Sequence, residues 1–305
     1  MKKAISIFLA FIIAFSVSGM ATASADFKPF EDSRYFEYGD YDIHYRIIPA
    51  ESSFKGRILM LHGFMCSTYS WRNMADKLSA EGYECVLVDL PDFGYSTRET
   101  EDTDVIAREE LVKRLMLEIA PAEEWIIAGH SMGGGVAINL AIEMPVKALL
   151  LYCPCPQNEF PQWAKPIVTS KPMKAAMNAF FKYGTKLSPL VRLVIYAATN
   201  DWEFAKGYYL KGVTDPVRYD GFGAGMCEMM YNVRPTDMAN ADKITCPVLL
   251  CQAEKDIILT DSIKARVNSA FPNAEKYTVP DGGHQCIENR ADELSKVTVD
   301  FLEGC

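Results

Sequence analysis

The sequence predicts an α/β fold: a mostly parallel central sheet with helices on both faces and an inserted, mainly helical cap. Three observations carry that expectation. Short apolar runs of strand length alternate with segments of helical spacing, and continuous apolar strands belong in a sheet covered on both faces. The 305-residue chain is 49% hydrophobic and 23% charged, which is globular composition with room for a sizeable core. The alternation breaks between 153 and 240, where prolines, aromatics and methionines crowd mostly helical segments, so that stretch reads as an insertion between two strands.

The opening reads as an address. Met1-Lys2-Lys3, an apolar run over 4–17 and the ending Ala23-Ser24-Ala25 match the three parts of a secretory signal peptide over 1–25. The run is short for a membrane span, which needs about 20 residues. Cleavage after Ala25 would leave an exported chain, secreted or in the periplasm or cell envelope, with no stable membrane span.

After a polar, aromatic opening, alternation predicts a strand over 41–48 and an apolar strand over 57–61. A helix over 70–80 and a strand over 84–90 follow. Residues 104–119 form an amphipathic helix with Thr103 or Asp104 as its N-cap. Next come strand 125–128, a helix rich in small residues over 132–142, and strand 146–152. The pattern resumes after the insertion with strand 247–253, helix 262–271, strand 275–279 and helix 291–302. This divides the chain into a core of 26–152 and 241–305 and a cap of 153–240.

Charge and cysteines narrow the function. A net charge of −9 without a basic run excludes nucleic acid as a natural partner, because that affinity comes from Lys and Arg on phosphates. Nine cysteines are an odd number, and an exported chain would leave at least one unpaired. Cys85 and Cys251 fall in apolar strands and read as small buried hydrophobes. Most of the others read as buried thiols, with one or two bridges left open. No Cys/His spacing matches a zinc site.

The chemistry centres on Gly129-His130-Ser131-Met132-Gly133, a G-x-S-x-G run that follows an apolar strand and opens a helix. That context exposes the serine at the carboxyl end of a strand. The bland alternative is a tight Gly-rich turn with an incidental serine. A serine nucleophile needs a base, and there are four histidines. His44 reads as a partly exposed strand residue. His62 reads as shaping a loop, and His130 as pointing away from the serine. His284, in the glycine-loosened loop Pro280-Asp281-Gly282-Gly283-His284 after the last strand, is the expected base. Asp256, after strand 247–253, is the expected acid that orients it, ahead of Glu254 and Asp281.

With those residues in place, the chain resembles the α/β-hydrolase superfamily, as a serine esterase or lipase-like member with a helical cap. The order Ser131, Asp256, His284 is that fold's order. Leu61-His62-Gly63-Phe64 resembles its His-Gly oxyanion loop, and Trp71 stands in the next helix, where relatives often carry Trp. Asp89-Leu90-Pro91-Asp92-Phe93-Gly94-Tyr95-Ser96 resembles its D-x-x-G-x-G-x-S loop, with Asp92 at the first glycine. Gly283-His284 followed by Glu288 resembles its ending. Ala253 and Cys66 depart from common family residues, and the Cys66 thiol beside the oxyanion loop raises the expectation of sensitivity to thiol reagents.

The resemblance implies an acyl-enzyme on Ser131, an oxyanion hole from the backbone N–H groups of Phe64 and Met132, and motif support from His62, Gly63, Gly129 and Gly133. It calls for no metal and no organic cofactor. The expected partner is a small molecule, an apolar acyl ester, since the cap carries Met173, Met177, Phe181, Phe222, Met226 and further apolar residues suited to an adaptable pocket wall. Packing within the cap is the plainer role for any one of them. Other readings are a proline-iminopeptidase-like aminopeptidase, with Glu159, Glu203 or Glu228 holding an amine, a carbon–carbon bond hydrolase or cofactor-free perhydrolase, and a non-catalytic binding protein on the same fold.

Overall fold

The computed structural model describes residues 28–305, so the expected leader at 1–25 lies outside the described residues. One sheet contains β1 (Ser33–Tyr38), β2 (Tyr41–Ile48), β3 (Gly56–Leu61), β4 (Tyr83–Val88), β5 (Ile126–His130), β6 (Ala148–Tyr152), β7 (Val248–Ala253) and β8 (Glu275–Val279). Its order is β1-β2-β4-β3-β5-β6-β7-β8. The β1–β2 and β2–β4 pairs are antiparallel, and every other pair is parallel.

The apolar strands divide their side chains between two cores. On β3, Leu59 and Leu61 enter the same cluster as Ile127 of β5, while Ile58 and Met60 point to the opposite face with Ala128. Strand periodicity of two makes this division automatic, so each face needs a cover of helices. Helices α1 (Arg72–Ala80), α2 (Arg108–Ile119) and α3 (Met132–Glu143) lie between strands in the first half. The insertion holds α4 (Lys165–Val168), α5 (Lys171–Gly184), α6 (Ser188–Thr199), α7 (Trp202–Gly207), α8 (Lys211–Arg218) and α9 (Phe222–Asn232). The chain closes with α10 (Asp261–Ala270), α11 (Cys286–Asn289) and α12 (Ala291–Glu303).

The structure corrects three local expectations. The polar, aromatic opening contains β1, joined to β2 by a two-residue turn at Gly39-Asp40, with Gly39 at φ 58°. A Gly-Asp pair between aromatic runs is a hairpin signal that the irregular flanks obscured. Helix α2 begins at Arg108, not near 104, and has no side-chain cap. Thr103 accepts from Thr100 N within its own turn, and Ile106 N donates to the Tyr41 hydroxyl on β2, so 104–107 is held against the sheet instead of coiling. Glu109 and Glu110 supply negative charge in the first turn of α2 in place of a cap. His44, expected to be partly exposed, is fully buried.

The insertion is built in two unlike parts. Met177 and Phe181 of α5 and Phe222, Met226 and Met229 of α9 are buried within the larger core cluster, alongside Phe93 and Met132. These five are packing residues, which narrows the set available to line a pocket. Val191 and Ile195 of α6, Ala205 of α7 and Tyr208 form a separate small cluster.

Asp92 ties the first part to the core. At φ 72° it occupies backbone space that favours glycine, consistent with the family's glycine there. Its buried carboxylate meets Arg108 at 2.9 Å and accepts from Glu99 N at 2.7 Å, while Glu99 accepts from Asn232 Nδ2 at the end of α9. Burial, with Glu99 nearby, pushes the Asp92 carboxyl up.

Candidate active site

Ser131 stands between β5 and α3 with φ 51° and ψ −116°. Such a backbone in a residue with a side chain costs about 1–3 kcal/mol and persists only where its surroundings enforce it. Here Ser131 N donates to Tyr152 O at 3.0 Å, and its carbonyl accepts from Gly134 N and Cys155 N. The approach of α3 to β3 is so close that a Cβ on Gly133 would overlap the Leu61 carbonyl oxygen. Gly129 sits 2.5 Å, by the same measure, from the Gly133 oxygen, and Gly63 lies 3.1 Å from the Ser131 Cβ. The glycines of the motif are therefore needed for space. Non-glycine residues with positive φ also follow β3 (Met65), β4 (Asp92), β6 (Cys153) and β8 (Asp281), so strained turns gather at the sheet's carboxyl edge.

The fold brings the three expected residues together. Ser131 Oγ lies 2.8 Å from His284 Nε2, and His284 Nδ1 lies 2.7 Å from Asp256 Oδ2. Ser131 and His284 are 153 residues apart in sequence. The other Asp256 oxygen accepts from Ile258 N and Leu259 N. Burial alone would raise the Asp256 carboxyl, but His284 and those two amides hold it below the ordinary carboxylate value. An ionised Asp256 only accepts, so His284 Nδ1 carries the proton and Nε2 is left to accept from the Ser131 hydroxyl. Glu254, the competing carboxylate, accepts instead from Asp281 N.

Met132 is the first residue of α3, so its N–H is among the helix's unpaired amides. Phe64 follows Gly63, where Cys66 N turns back to the Gly63 carbonyl, and its half-exposed ring stands edge-on to Phe93 at 5.7 Å. His62 is fully buried: Nδ1 lies 2.7 Å from Gly63 O, and Nε2 accepts from Leu90 N at 3.0 Å. It thereby joins the loop after β3 to the loop after β4. His130 Nε2 lies 2.9 Å from the His284 carbonyl oxygen. Burial next to His284 pushes its own pKa down to about 3, so the ring is neutral and Nε2–H is the donor. Trp71 packs edge-on against His130 and Tyr152 beneath the site.

Sequence reasoning missed how the insertion grips the His284 loop. The last carbonyls of α6, on Ala198 and Thr199, accept from Gln285 N at 2.8 Å and Gly283 N at 3.2 Å, on either side of His284. Gln285 also hydrogen-bonds Glu288 and contacts the Cys66 sulfur. Buried Glu288 pairs with Arg72 and accepts from the Tyr208 hydroxyl at 2.6 Å. These partners are distant in sequence, and no periodicity marks them.

Several expectations change. Burial and Glu288 push the Cys66 thiol up to about 12, which removes the thiolate that thiol reagents attack. All nine cysteines are free thiols, with Cys153 and Cys286 facing each other at 3.8 Å. Of the carboxylates considered for an amine site, Glu228 is paired with Lys174 and Glu203 with Lys206, while Glu159 is exposed. His44 Nδ1 lies 2.7 Å from Asp89 Oδ2 and its Nε2 lies 2.8 Å from Ser33 Oγ, so it belongs to a buried polar cluster remote in sequence from Ser131. The Cys153 sulfur lies within 4.8 Å of ligand atoms of Asp256 and His284. Its thiol is held well above the ordinary value by Cys286 and by burial, and Asp256 and His284 already engage each other, which makes this a poor metal site.

Comparison with known proteins agrees with this architecture. A family model described as alpha/beta hydrolase fold matches residues 56–290. The chain is similar to the uncharacterized hydrolase YugF of Bacillus subtilis, 23% identical over 81% of this chain and 89% of that protein. It is also similar to the monoacylglycerol lipase ABHD6 of Bos taurus, 25% identical over 88% of this chain and 81% of that one. Among solved structures, the epoxide hydrolase CorEH superposes with a TM-score of 0.70 at 19% identity, covering 89% of this chain and 98% of that chain, a likeness of fold alone. Since the family model covers most of the sheet together with the Ser131 turn and the His284 loop, the chain belongs to the alpha/beta hydrolase fold family.

Proposed function

We propose that this protein is an exported serine hydrolase of carboxylic esters, esterase- or lipase-like, acting through an acyl-enzyme on Ser131. The observation that carries the reading is the unbroken relay from Ser131 Oγ through His284 to Asp256, set on a strained turn. In the first half-reaction Ser131 Oγ attacks the ester carbonyl carbon while its proton passes to His284 Nε2. The carbonyl oxygen takes the negative charge, facing the N–H groups of Phe64 and Met132. The carbon–oxygen bond to the alcohol then breaks, and His284 returns the proton to the departing alkoxide. Water repeats the sequence on the acyl-enzyme and releases the acid. Asp256 stabilises the His284 cation at each stage.

An ester with an apolar acyl group is favoured over a free amino-terminal peptide by two features. The half-exposed Phe64 ring follows Gly63, which lies against Ser131, and no unpaired buried carboxylate stands among those considered for an amine. The name of the lipase relative points the same way. Serine at the nucleophile position separates this chain from aspartate-dependent epoxide chemistry.

Purified protein should be labelled by a fluorophosphonate at Ser131 and should turn over aryl esters in a chain-length series faster than aminoacyl-arylamides. Absence of labelling would sink the serine mechanism, and amide turnover alone would sink the ester assignment. Mass analysis of the exported chain should find its first residue at Asp26.

A further inference from the structure

The outer face of α6 is unlike any ordinary water-facing helix. A surface helix turns charged and polar groups outward. Helix α6 buries Val191 and Ile195 on one side and exposes Leu193, Val194 and Ala197 on the other, with Leu193 54% and Val194 58% exposed. Its one charged side chain, Arg192, folds back to donate to the carbonyls of Ala205 and Lys206. The helix therefore shows apolar surface in both directions, supported beneath by the small cluster around Tyr208.

The flanks of this face are cationic and aromatic. Residues 182–214 hold five Lys and Arg against two Asp and Glu, in a chain whose net charge is −9. Lys182, Lys186 and Lys211 are exposed, as is Lys206, which is paired with Glu203. Lys186 lies over the exposed Tyr183 ring at 5.0 Å, and Lys206 over the exposed Trp202 ring at 5.9 Å. Trp202 in turn stands edge-on to Tyr196 of α6. Apolar side chains in the middle, rings at the margin and long-stemmed lysines around them match the layers of a bilayer surface, from acyl chains through the interface to anionic headgroups.

We propose that the α6 face docks the protein on an anionic lipid surface, lying in the plane of the interface. The occupant is argued from charge complementarity: two copies meeting through this same face would set lysine against lysine, whereas acidic headgroups attract it. The face also adjoins the chemistry. The α6 carbonyls that hold Gly283 and Gln285 belong to this helix, and Asn200 at its end donates to Asp281 O. Lys255 N donates to Gly282 O in the same loop, and beyond it Ile257 and Ile258 project outward, Ile257 being 73% exposed. Docking would set the mouth of the Ser131 site against the membrane. The inference rests on the surface alone and stands whether or not the bond cleaved is an ester.

Among the described residues every strand and covering helix lies between Ser33 and Glu303, so a chain of residues 26–305 contains all of them. That chain should float with vesicles of phosphatidylcholine and phosphatidylglycerol, bind phosphatidylcholine vesicles far less, and be released by salt. Each of Lys182→Gln and Lys186→Gln should weaken binding about fivefold. Leu193→Asp with Val194→Asp should abolish flotation while leaving the melting temperature and turnover of a short soluble aryl ester unchanged. The proposal is overturned if the parent chain stays with the soluble fraction, or if the Leu193/Val194 variant still floats. It is equally overturned if sedimentation shows a dimer that this variant disperses, because the face would then be an interface between copies.

Discussion

Two Ser–His–Asp chains of nearly identical geometry stand in this molecule, and only one, the set we propose to react, sits on a strained turn at the sheet's carboxyl edge. In Ser131–His284–Asp256 the two contacts are 2.8 and 2.7 Å; in Ser33–His44–Asp89 they are also 2.8 and 2.7 Å. The difference lies in the surroundings. Ser33 begins a regular strand, and its oxygen already accepts from Phe30 N. The rings of Phe30, Tyr35 and Tyr95 surround His44. Asp89 accepts from Thr68 N and Tyr95 N as well as engaging His44. Ser131 sits instead at a positive-φ turn, with Gly63 against it and the start of a helix beside it. Distances within a triad thus do not make a nucleophile. Both serines are buried, so we assign the difference to the strained turn and the helix start at Ser131, while the second cluster fastens the β1–β2 hairpin to the loop after β4.

The sharpest way to break this comparison is to remove each serine. Ser131→Ala should lower kcat by about 10⁴–10⁶-fold with little change in melting temperature. Ser33→Ala should leave kcat within about twofold and cost about 1–2 kcal/mol in urea unfolding, the value of a buried hydrogen bond left with one partner. Loss of turnover in folded Ser33→Ala would dissolve the distinction.

The two aspartates come next. Asp256→Asn should cost about 10⁴-fold in kcat, because His284 loses the partner that sets its tautomer. Asp89→Asn should act mainly on stability, by about 3 kcal/mol, since it weakens acceptors for two buried backbone amides and for His44. Unchanged ester turnover in Asp256→Asn would show that another carboxylate serves His284.

Acid titration probes the Asp89 contribution more gently. Burial would raise the Asp89 carboxyl, but His44, His62 and the Thr68 amide hold it below its ordinary 3.8. A depressed carboxyl contributes stability above its unfolded value, and that contribution is lost as pH falls through the lower folded value. The urea midpoint should therefore fall between about pH 5 and pH 2, and Asp89→Asn should flatten that limb. The smallest effect concerns Cys66. Iodoacetamide at neutral pH should leave activity within about twofold, because the thiol titrates near 12.

Much of the site was legible because its signals are local. Gly129, Ser131 and Gly133 lie within five residues, and the close approach that demands glycine there is a property of one strand–turn–helix unit. The strand runs were legible for the same reason, since a buried parallel strand must be apolar on both faces. His44 was misread because its surroundings come from β1, the Asp89 loop and Tyr95, and alternation along β2 says nothing about them. Helix α2 starts later than its periodicity suggests because the side chains of Tyr41 and Thr103 compete for the backbone of 100–106.

What the sequence by itself determined is the order of strands and helices, the serine turn and the short list of residues able to serve it, because each depends on spacing along the chain. What only the tertiary structure decided is which of two equal Ser–His–Asp sets sits on the strained turn, how α6 grips the loop of His284, and which cap residues are core. Those depend on groups that meet across the fold, such as Arg72 with Glu288 at a separation of 216 residues, and no pattern along the chain encodes the space around a side chain.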